Sequence, residues 1–353
     1  MLKKFNTYKN LKVLVTGSTG FKGAWLCFWL KLLGAKVIGI GLKPEKSSII
    51  FKKLKLEKKI KQYYFNIIDY KKLNKIIKKE NPKIIFHLAA QSIVSLGFKD
   101  PIKTVSYNVM GSTNVLEVVR KNKIANLVFI TSDKCYLNDN RKKAYNENDT
   151  LGGEDLYSSS KASAELIFYS YYKSFFSDNN RIKYATARAG NVVGGGDMKE
   201  DRIVPDIVKS LVHNNSLFIR NPKSVRPWQH VLEPLSGYLL LAQNIHSSKI
   251  KRLKQNWNFG PNISSCKSVR YLADYLNKYL KLNLVKRKKI KNIFNPETSI
   301  LRLSNHKSKK FLYWKPKWSI NNSLDKIIYW QKKMPKEGAY NMCLKQINEY
   351  LES

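Results

Sequence analysis

The sequence predicts an α/β protein with a doubly wound parallel sheet, followed by a smaller C-terminal part. Short apolar runs alternate with helical patterns through the first half, and this alternation ends near residue 190. Parallel strands joined by helices are buried on both faces, so they appear as continuous apolar runs. After residue 190, loops rich in Gly, Pro and Asn lead into a mixed segment. We therefore expect one domain over 1–190, joined by part of 225–260, and a second made mainly of 191–353.

The predicted elements follow one another with the spacing of strand–helix–strand units. Six short apolar runs are the expected strands, at 11–15, 36–41, 62–67, 84–88, 127–131 and 184–189. Longer patterns between them are the expected helices, at 21–33, 69–79, 101–121 and 155–177. Because these patterns run beyond about ten residues, they are typical of helices and not of strands.

Composition favours a globular protein with a basic surface. Apolar residues make up 43% of the 353, and the formal net charge is +40. A polyanion-binding protein is one interpretation of that charge. Lysine, however, outnumbers arginine roughly five to one and is spread along the chain. A nucleic-acid surface more often interleaves clustered basic and aromatic side chains, so we interpret the charge as a solvated surface and expect no nucleic-acid partner.

Cysteine and histidine usage favours a reducing compartment without a metal site. The four cysteines lie far apart with no C-x-x-C pair, and the five histidines are scattered. This pattern argues against a disulfide framework and against zinc. The polar start leads straight into a strand, and no apolar run approaches the roughly 20 residues that span a bilayer. We expect a cytoplasmic protein without a membrane segment.

A glycine-rich turn follows the first predicted strand. Gly17, Gly20 and Gly23 form G-x-x-G-x-x-G before an apolar helix. Such glycines let the backbone approach a pyrophosphate at the helix N-terminus, which predicts a Rossmann-type dinucleotide site. In such sites an acid near the end of the second strand holds the 2′-hydroxyl of NAD. Here that strand leads into Lys43 without an acid, so this stretch leaves NAD and NADP both open.

Tyr157 and Lys161 lie four residues apart, which puts both on one face of a predicted helix. A nearby cation favours the phenolate, so the tyrosine can take a proton from a sugar hydroxyl while hydride leaves to a nicotinamide. The Y-x-x-x-K pair is common by chance in a chain rich in both residues. Together with the glycine turn and with Ser132 at a preceding strand end, it becomes specific.

Charged side chains follow directly after the fifth predicted strand. Its apolar run leads directly into Ser132, Asp133 and Lys134. Burying charge is costly unless the charge is paired or used. One interpretation is an Asp–Lys ion pair at the strand end. The other is a catalytic acid and base, because active sites of open parallel sheets lie at the carboxyl ends of the strands.

The chain resembles the extended short-chain dehydrogenase/reductases that act on nucleotide sugars, and among them the branch of the CDP-glucose 4,6-dehydratases. The motifs that carry this resemblance are TGSTGFKGAWL, HLAAQSIV, TSDKCY, LGGEDLYSSSK, ARAGNVVGGGD, DRIVPD, RPWQHVLEPLSGYLLLA and WNFGP. The chain departs from that branch at Ser18, where His is common, and at Asn66 and Ser304, where Asp is often found.

The resemblance implies an NAD-dependent lyase that converts CDP-glucose to CDP-4-keto-6-deoxyglucose for deoxysugar and surface-polysaccharide synthesis. C4 is oxidised with Tyr157 as the base and Ser132 or Thr131 as the positioner of its hydroxyl, water leaves across C5 and C6, and the hydride returns to C6. Asp133 matches the general acid. Lys134 stands where dTDP-glucose dehydratases place a glutamate as C5 base, so it is either the base or an electrostatic stabiliser of the enolate. Dehydratases of another nucleotide sugar, and epimerases or reductases, remain alternatives.

The resemblance also implies the binding residues. Those expected at the cofactor NAD are Gly17, Thr19, Gly20, Phe21, Gly23, Asn66, Ile67, Leu88, Ala89, Ala90, Gln91, Tyr157 and Lys161. Those expected at the nucleotide sugar are Gln91, Asn191, Arg202, Arg220 and Arg226, since bidentate guanidinium suits a diphosphate.

Other polar and aromatic positions have mainly structural interpretations. We expect His87, Asn108 and Arg188 to be structural, and Trp228 to be either core or substrate contact. Helices 101–121 and 155–177 are apolar on more than one face, and relatives pair such helices across a homodimer. A homodimer is therefore expected.

Overall fold

The computed structural model describes residues 2–177, 183–212, 217–247, 255–280, 284–285 and 298–353. Its strands are β1 (Lys12–Thr16), β2 (Lys36–Gly41), β3 (Lys61–Tyr64), β4 (Ile84–His87), β5 (Asn126–Ile130), β6 (Lys183–Ala189), β7 (Val192–Val193), β8 (Leu217–Phe218), β9 (Val225–Pro227), β10 (Gln229–His230), β11 (Asn256–Phe259), β12 (Cys266–Ser268) and β13 (Leu284–Val285).

The helices alternate with these strands. They are α1 (Phe21–Leu32), α2 (Ile49–Lys53), α3 (Tyr70–Glu80), α4 (Val94–Lys99), α5 (Pro101–Val105), α6 (Gly111–Lys121), α7 (Leu156–Tyr171), α8 (Ile203–Val212), α9 (Leu232–His246), α10 (Val269–Leu280), α11 (His306–Leu312) and α12 (Ile320–Glu352). Short 3-10 turns add Leu2–Tyr8, Leu56–Lys58, Asp133–Cys135 and Ile263–Ser265.

Seven parallel strands form the central sheet in the order β11-β6-β5-β4-β1-β2-β3. This confirms the predicted doubly wound parallel sheet. The chain moves outward in one direction from β1 to β3 and then in the other from β4, so the strand order reverses between β1 and β4. In such folds the crevice at this reversal, at the carboxyl ends of the strands, receives the ligand.

The six strands expected from the sequence are all present, and the third is the least accurately placed. It ends at Tyr64, three positions before the predicted end at Ile67. The seventh strand, β11, was not singled out as a strand. It pairs with β6, with Asn256 opposite Thr186, although the two strands are far apart in the chain.

Two long helices expected from the sequence are interrupted by π-helical turns. The pattern over 101–121 folds as α5 and α6 with a π turn at Ser106–Met110 between them. The pattern over 155–177 folds as α7 followed by a π turn at Tyr172–Phe176. A π turn holds one more residue than an α turn and so shifts the apolar spacing by one position, but helices 101–121 and 155–177 are apolar on more than one face, which conceals such a shift.

Three large apolar clusters, and a small fourth one around Tyr136, Tyr145 and Leu303, lie in the described part of the chain. One covers one face of the sheet and includes Trp25, Trp29, Leu239 and Tyr350 from α1, α9 and the end of α12. A second covers the other face with residues of α3, α6 and α7. A third, smaller cluster joins α8, α10 and the start of α12 beside the sheet. In the described part of the chain, no helix combines the length and apolar character needed to cross a membrane.

Candidate active site

One cavity opens at the carboxyl ends of β5 and β6, between the sheet and the cluster of α8 and α10. Its wall contains four of the five side chains predicted to be catalytic, namely Ser132, Asp133, Lys134 and Tyr157, whereas Lys161 is not part of the wall. It also contains four candidates for substrate binding: Asn191, Arg202, Arg220 and Arg226. Residues that are distant in the chain therefore face one space.

A short 3-10 turn after β5 directs Asp133 inward. Ser132 caps this turn by accepting a hydrogen bond from the Lys134 backbone N–H at 3.2 Å, and its hydroxyl donates to Asp133 Oδ1 at 3.1 Å. Oδ2 of Asp133 is buried and has no hydrogen-bond partner among the described residues. Gly190 lies beside it, since a Cβ added there would stand 3.0 Å from Oδ2. The strand therefore ends on a carboxyl with one oxygen unused.

Burial raises the pKa of Asp133, while the positive charge of Lys134, the hydrogen bond from Ser132 and the charge of Arg226 act to lower it. The raised pKa means that this carboxyl holds its proton more strongly than an exposed aspartate does. A protonated carboxyl facing a cavity is suited to donate a proton to a leaving group. Lys134 beside it is half-buried and also faces the cavity.

Helix α7 carries Tyr157 in its first turn. The helix is capped by Asp155, whose Oδ1 accepts from the Ser158 N–H at 2.9 Å. Burial raises the pKa of Tyr157 to about 12, although a hydrogen bond with Ser132 and the charge of Arg202 act to lower it. Lys161 lies one turn further along the same helix and is 5% exposed. Burial and the charge of Lys22 lower the pKa of Lys161 to about 8.

A buried ion pair supports the turn from behind. Glu165, one turn after Lys161, accepts from Nε and Nη2 of Arg188 on β6, both at 2.9 Å. Glu165 also accepts from the hydroxyl of Thr131, and Arg188 donates to the phenol oxygen of Tyr136 at 2.8 Å. This network joins α7 to the ends of β5 and β6. Arg188 is thus packed at a strand end, as predicted.

The glycine turn between β1 and α1 is built by close backbone contacts. Gly17 has φ +73°, and a Cβ added to it would lie 2.8 Å from the Ala89 amide nitrogen. A Cβ on Gly23 would lie 2.0 Å from Gly17 O. The Gly20 N–H donates to Gly17 O at 3.0 Å, and no side chain caps the amides of α1. The turn leaves the first amides of α1 open to an anion, so these residues fit the pyrophosphate of a dinucleotide.

Loops after neighbouring strands complete this crevice. Asn66 and Ile67 follow β3, and the Asn66 side chain accepts from the Ile68 N–H at 3.1 Å. Leu88, Ala89 and Ala90 follow β4; the Ala89 N–H donates to Thr16 Oγ1 at 3.2 Å. Thr19 and Phe21 stand within the glycine turn itself, and Thr19 is buried. The structure therefore places the predicted cofactor residues of three loops at one end of the sheet.

The side chain of Gln91 forms hydrogen bonds inside the protein. Its side-chain amide donates to Ile93 O at 2.9 Å and to Thr104 Oγ1 at 3.0 Å, and it is absent from the cavity wall. Asn108, in the π turn, accepts from the Gln91 N–H at 2.8 Å and donates to Gln91 O at 3.0 Å and to Ser160 Oγ at 2.9 Å. The predicted structural role of Asn108 is confirmed: it ties the loop after β4 to α7.

His87 is also structural. Its ring nitrogens contact Thr16 Oγ1 at 2.8 Å and Ser112 Oγ at 3.0 Å. Burial lowers its pKa to about 3, so the ring is neutral at physiological pH.

The three arginines predicted to bind substrate differ in their burial and in their polar contacts. Arg226 is 2% exposed and donates to Val225 O at 3.0 Å. Arg202 pairs with Asp197 at 3.0 Å and donates to Ser92 Oγ at 2.8 Å. Arg220 lies 3.4 Å from Asp201 and is exposed. Trp228 belongs to the third apolar cluster and also lines the cavity, so it is a core residue, and its contact with substrate stays a prediction.

Several cavity residues escaped the sequence reasoning, among them Lys22 and Asp206. Lys22, inside the glycine motif, lies in the cavity wall, and burial and the charge of Arg202 lower its pKa to about 8. Asp206, in the first turn of α8, also lies in the wall. Lys22 is one of many lysines and Asp206 sits in an ordinary helix start. Their only signals were their positions inside the motifs TGSTGFKGAWL and DRIVPD.

Comparisons with known proteins agree with this geometry. The family model described as GDP-mannose 4,6 dehydratase matches residues 14–327. The CDP-glucose 4,6-dehydratase of Salmonella typhimurium is 39% identical over 99% of this chain and 98% of its own. UDP-glucose 4-epimerase of Thermotoga maritima, solved with UDP-glucose, superposes with a TM-score of 0.78 at 21% identity, covering 92% of this chain and 100% of that one.

A second solved structure carries a cofactor. The dTDP-glucose 4,6-dehydratase of Bacillus anthracis, in complex with NAD, has a TM-score of 0.74 at 21% identity, covering 92% of this chain and 97% of that one. The family match spans most of the chain, and the Salmonella relative is similar from end to end. The chain belongs to the GDP-mannose 4,6-dehydratase family, whose members are NAD-dependent nucleotide-sugar dehydratases.

Proposed function

We propose that this protein converts CDP-glucose to CDP-4-keto-6-deoxyglucose and water. The observation that carries the proposal is the unpartnered, buried Oδ2 of Asp133 in the same cavity as Lys134 and Tyr157. Exchange of a hydrogen at C4 alone needs a base and a hydroxyl. Loss of water from C5 and C6 needs an acid and a second base as well, and this cavity offers both.

Tyr157 and Ser132 act on C4 in this proposal. The deprotonated phenol of Tyr157 takes the proton of the C4 hydroxyl, and Ser132, which lines the same cavity, positions that hydroxyl. Burial, which raises the pKa of Tyr157 to about 12, opposes this deprotonation, so the charge of Lys161 one turn away on α7 and the positive nicotinamide of bound NAD would have to favour it. The crevice beside the glycine turn would hold NAD, which would supply a hydride acceptor for C4 and the hydride for C6, so there would be no net oxidation.

In this proposal Lys134 acts at C5 and Asp133 acts on the C6 hydroxyl. The ketone at C4 acidifies the C5 proton. Lys134 either removes this proton or stabilises the enolate that forms when it is lost. Asp133 donates its proton to the C6 hydroxyl, which then leaves as water. The direction of the Asp133 pKa supports this role, since burial favours the protonated carboxyl that the step requires.

The remaining cations suit the diphosphate. Arg226 and Arg202 stand in the cavity wall with Asn191, and planar guanidinium groups recognise phosphate oxygens in pairs. We propose the same division of labour as the sequence predicted: residues 1–190 with β11 bind NAD, and 191–353 mainly bind the nucleotide sugar. The end of α12 is an exception to this division, because it packs on α1 in the first apolar cluster.

A substrate panel tests the proposal. Purified protein is incubated with NAD and one nucleotide sugar at a time: the CDP, dTDP, UDP or GDP derivative of glucose. The masses of the products are measured by mass spectrometry. We expect the loss of one water from CDP-glucose. Loss of water from another sugar but not from CDP-glucose would redirect the substrate. Exchange at C4 without water loss would instead indicate an epimerase.

Asp133→Asn tests the acid directly. The amide keeps the shape of the side chain but cannot supply the proton, so water loss should fall by about 10²–10⁴-fold while oxidation at C4 continues. The absorbance of reduced nicotinamide should then accumulate during one turnover. Asp274→Asn, on the exposed face of α10, serves as the control. Undiminished product from Asp133→Asn would refute the assignment.

We also propose a homodimer in the cytoplasm. The helices α5 to α7 expose apolar side chains, among them Ile102 (81% exposed) and Leu166 (55% exposed). Large exposed apolar side chains grouped on one surface are typical of an interface. All four cysteines are free thiols, which supports a reducing compartment.

A further inference from the structure

A second partly buried carboxyl, that of Asp206, lines the cavity away from Asp133. Burial raises the pKa of Asp206 to about 6, with the negative charge of Asp201 adding to the effect and Arg220 and Lys209 opposing it. The cations that act on the pKa of Asp133 are different ones: Lys134, Arg226 and Lys22. The two carboxyls therefore occupy separate parts of the same cavity.

Asp206 differs from Asp197 and Asp201, two other acids of that wall, in having no counter-ion at contact distance among the described residues. Asp197 pairs with Arg202 at 3.0 Å, and Asp201 lies 3.4 Å from Arg220. Within the described ranges, no ion pair involves Asp206, although a backbone N–H of Asp201 donates to its carboxylate. A carboxylate beside a bound diphosphate is repelled by it. It therefore suits a part of the ligand that donates hydrogen bonds.

We propose that Asp206 accepts a hydrogen bond from the exocyclic amino group of cytosine and thereby sets the base preference of the cavity. This inference rests on the proposed function, because it takes the ligand to be a nucleoside diphosphate sugar. Cytosine presents an amino donor where uracil and thymine present a carbonyl oxygen, and Asp or Glu is a suitable acceptor for that amino group. The same carboxylate repels the carbonyl oxygen of uracil.

Asp206 lines the cavity wall together with Arg220, Asn221 and Ile219, so a flat ring there meets both polar and apolar atoms. Arg220 acts on the pKa of Asp206, whereas Arg226 acts on the pKa of Asp133. In this proposal the base lies by Asp206, the diphosphate by Arg226, and the reacting sugar by Asp133 and Tyr157.

Calorimetric titration of the full-length protein with CDP and with UDP tests the inference without any chemistry. The wild-type protein should bind CDP at least about tenfold more tightly than UDP, since one base contact of this kind is worth that much. Asp206→Ala should lose most of this preference, because CDP loses an acceptor for its amino group while UDP is no longer repelled by the carboxylate. Asp206→Asn should in addition tighten UDP, because the amide can donate to the carbonyl oxygen of uracil.

The control is Glu200→Ala, which removes an exposed acid of the neighbouring turn, paired with Lys209, outside the cavity wall. It should keep the wild-type preference. Equal weakening of CDP and UDP in both Asp206 variants would overturn the inference, because it would place the carboxylate on the ribose that all nucleotides share. Water loss from CDP-glucose, measured on the same wild-type preparation, separates failure of the inference from failure of the proposed function.

Discussion

Asp133 and Lys134 are neighbours in the chain, but the turn that contains both gives them different surroundings. Asp133 is 3% exposed, whereas Lys134 is half-buried at the cavity wall. In the described part of the chain they form no ion pair at contact distance, so the simple interpretation of a paired strand end does not hold. Each side chain is available to a ligand in the cavity.

Lys134→Met should separate the two roles left to this lysine. If Lys134 is the base, the variant loses exchange of the C5 hydrogen with solvent, because no ammonium-derived amine remains to remove it. The measurement is deuterium incorporation at C5 in heavy water, followed by mass spectrometry. Lys143→Met, an exposed lysine on the loop before α7, is the matched control. Full exchange in Lys134→Met would leave only the stabilising role.

Lys22→Met should move the pH profile of water loss. Burial raises the pKa of Asp133, and Lys22 is among the cations that lower it. Activity that needs the protonated acid is present below this pKa and is lost as pH rises through it. Removing Lys22 removes a lowering influence, so the descending limb of kcat against pH should shift to higher pH.

The control for that shift is Lys31→Met, an exposed lysine on the same helix. It should leave the profile in place. A limb that stays fixed, or moves to lower pH, in Lys22→Met would show that the Lys22 charge does not reach the acid.

Sequence reasoning found the residues that stand in motifs and missed those that depend on the fold. Tyr157, Lys161 and Ser132 have fixed spacings, which the motifs reveal. Lys22 and Asp206 become cavity residues only because α1 and α8 meet at the carboxyl ends of β5 and β6. Gln91 shows the converse, since it stands in a motif but bonds inward to Ile93 and Thr104.

Among the elements, the glycine turn depends on contacts that leave no room for a side chain. Gly23→Ala would put a methyl group 2.0 Å from Gly17 O, so the turn or α1 must move. We expect a loss of about 1–3 kcal/mol in the free energy of unfolding and weaker NAD binding. Thermal melting and calorimetric titration with NAD measure both effects.

Gly20→Ala is the graded comparison, because its Cβ would lie 3.3 Å from the same oxygen and needs only a small adjustment. Gly20→Ala should lower the free energy of unfolding and the affinity for NAD less than Gly23→Ala does. Equal effects of the two substitutions would mean that the close contact at Gly23 does not shape the turn.

The strands were easier to predict than the interruptions of the helices. β1, β2, β4, β5 and β6 are buried apolar runs, and burial on both faces leaves that signature in the sequence. The π turn at Ser106–Met110 leaves none, because its cause is the bonding of Asn108 to a loop that is distant in sequence. β11 is short, and its strand character depends on β6 as a partner.

At the scale of the whole molecule, the exposed apolar side chains of α5 to α7 predict association. Leu166→Glu should weaken the homodimer by at least about tenfold, because a charge would be buried at the interface. Light scattering over a range of concentrations gives the mass. Phe311→Glu, an exposed apolar residue on α11, is the control. A wild-type monomer at micromolar concentration would rule out the dimer.

The basic charge of the molecule has its main consequence in the cavity and not on a polyanion surface. Arg202, Arg226 and Lys22 lie in the cavity wall, where a diphosphate finds positive potential with little competition from water. The lysines elsewhere are mostly exposed and separated. This distribution favours the interpretation of a solvated surface that the composition suggested.

Helix α12 gives the chain a particular order of assembly. Its first half packs with α8 and α10, and its last half, past Gly338, packs Met342, Ile347 and Tyr350 against the tryptophans of α1. Domains usually fold as the ribosome releases them, beginning from the N-terminus. Trp29 packs against the ring of Tyr350, so a chain that stops before Gly338 lacks this contact and exposes more of Trp29 to chaperones and proteases.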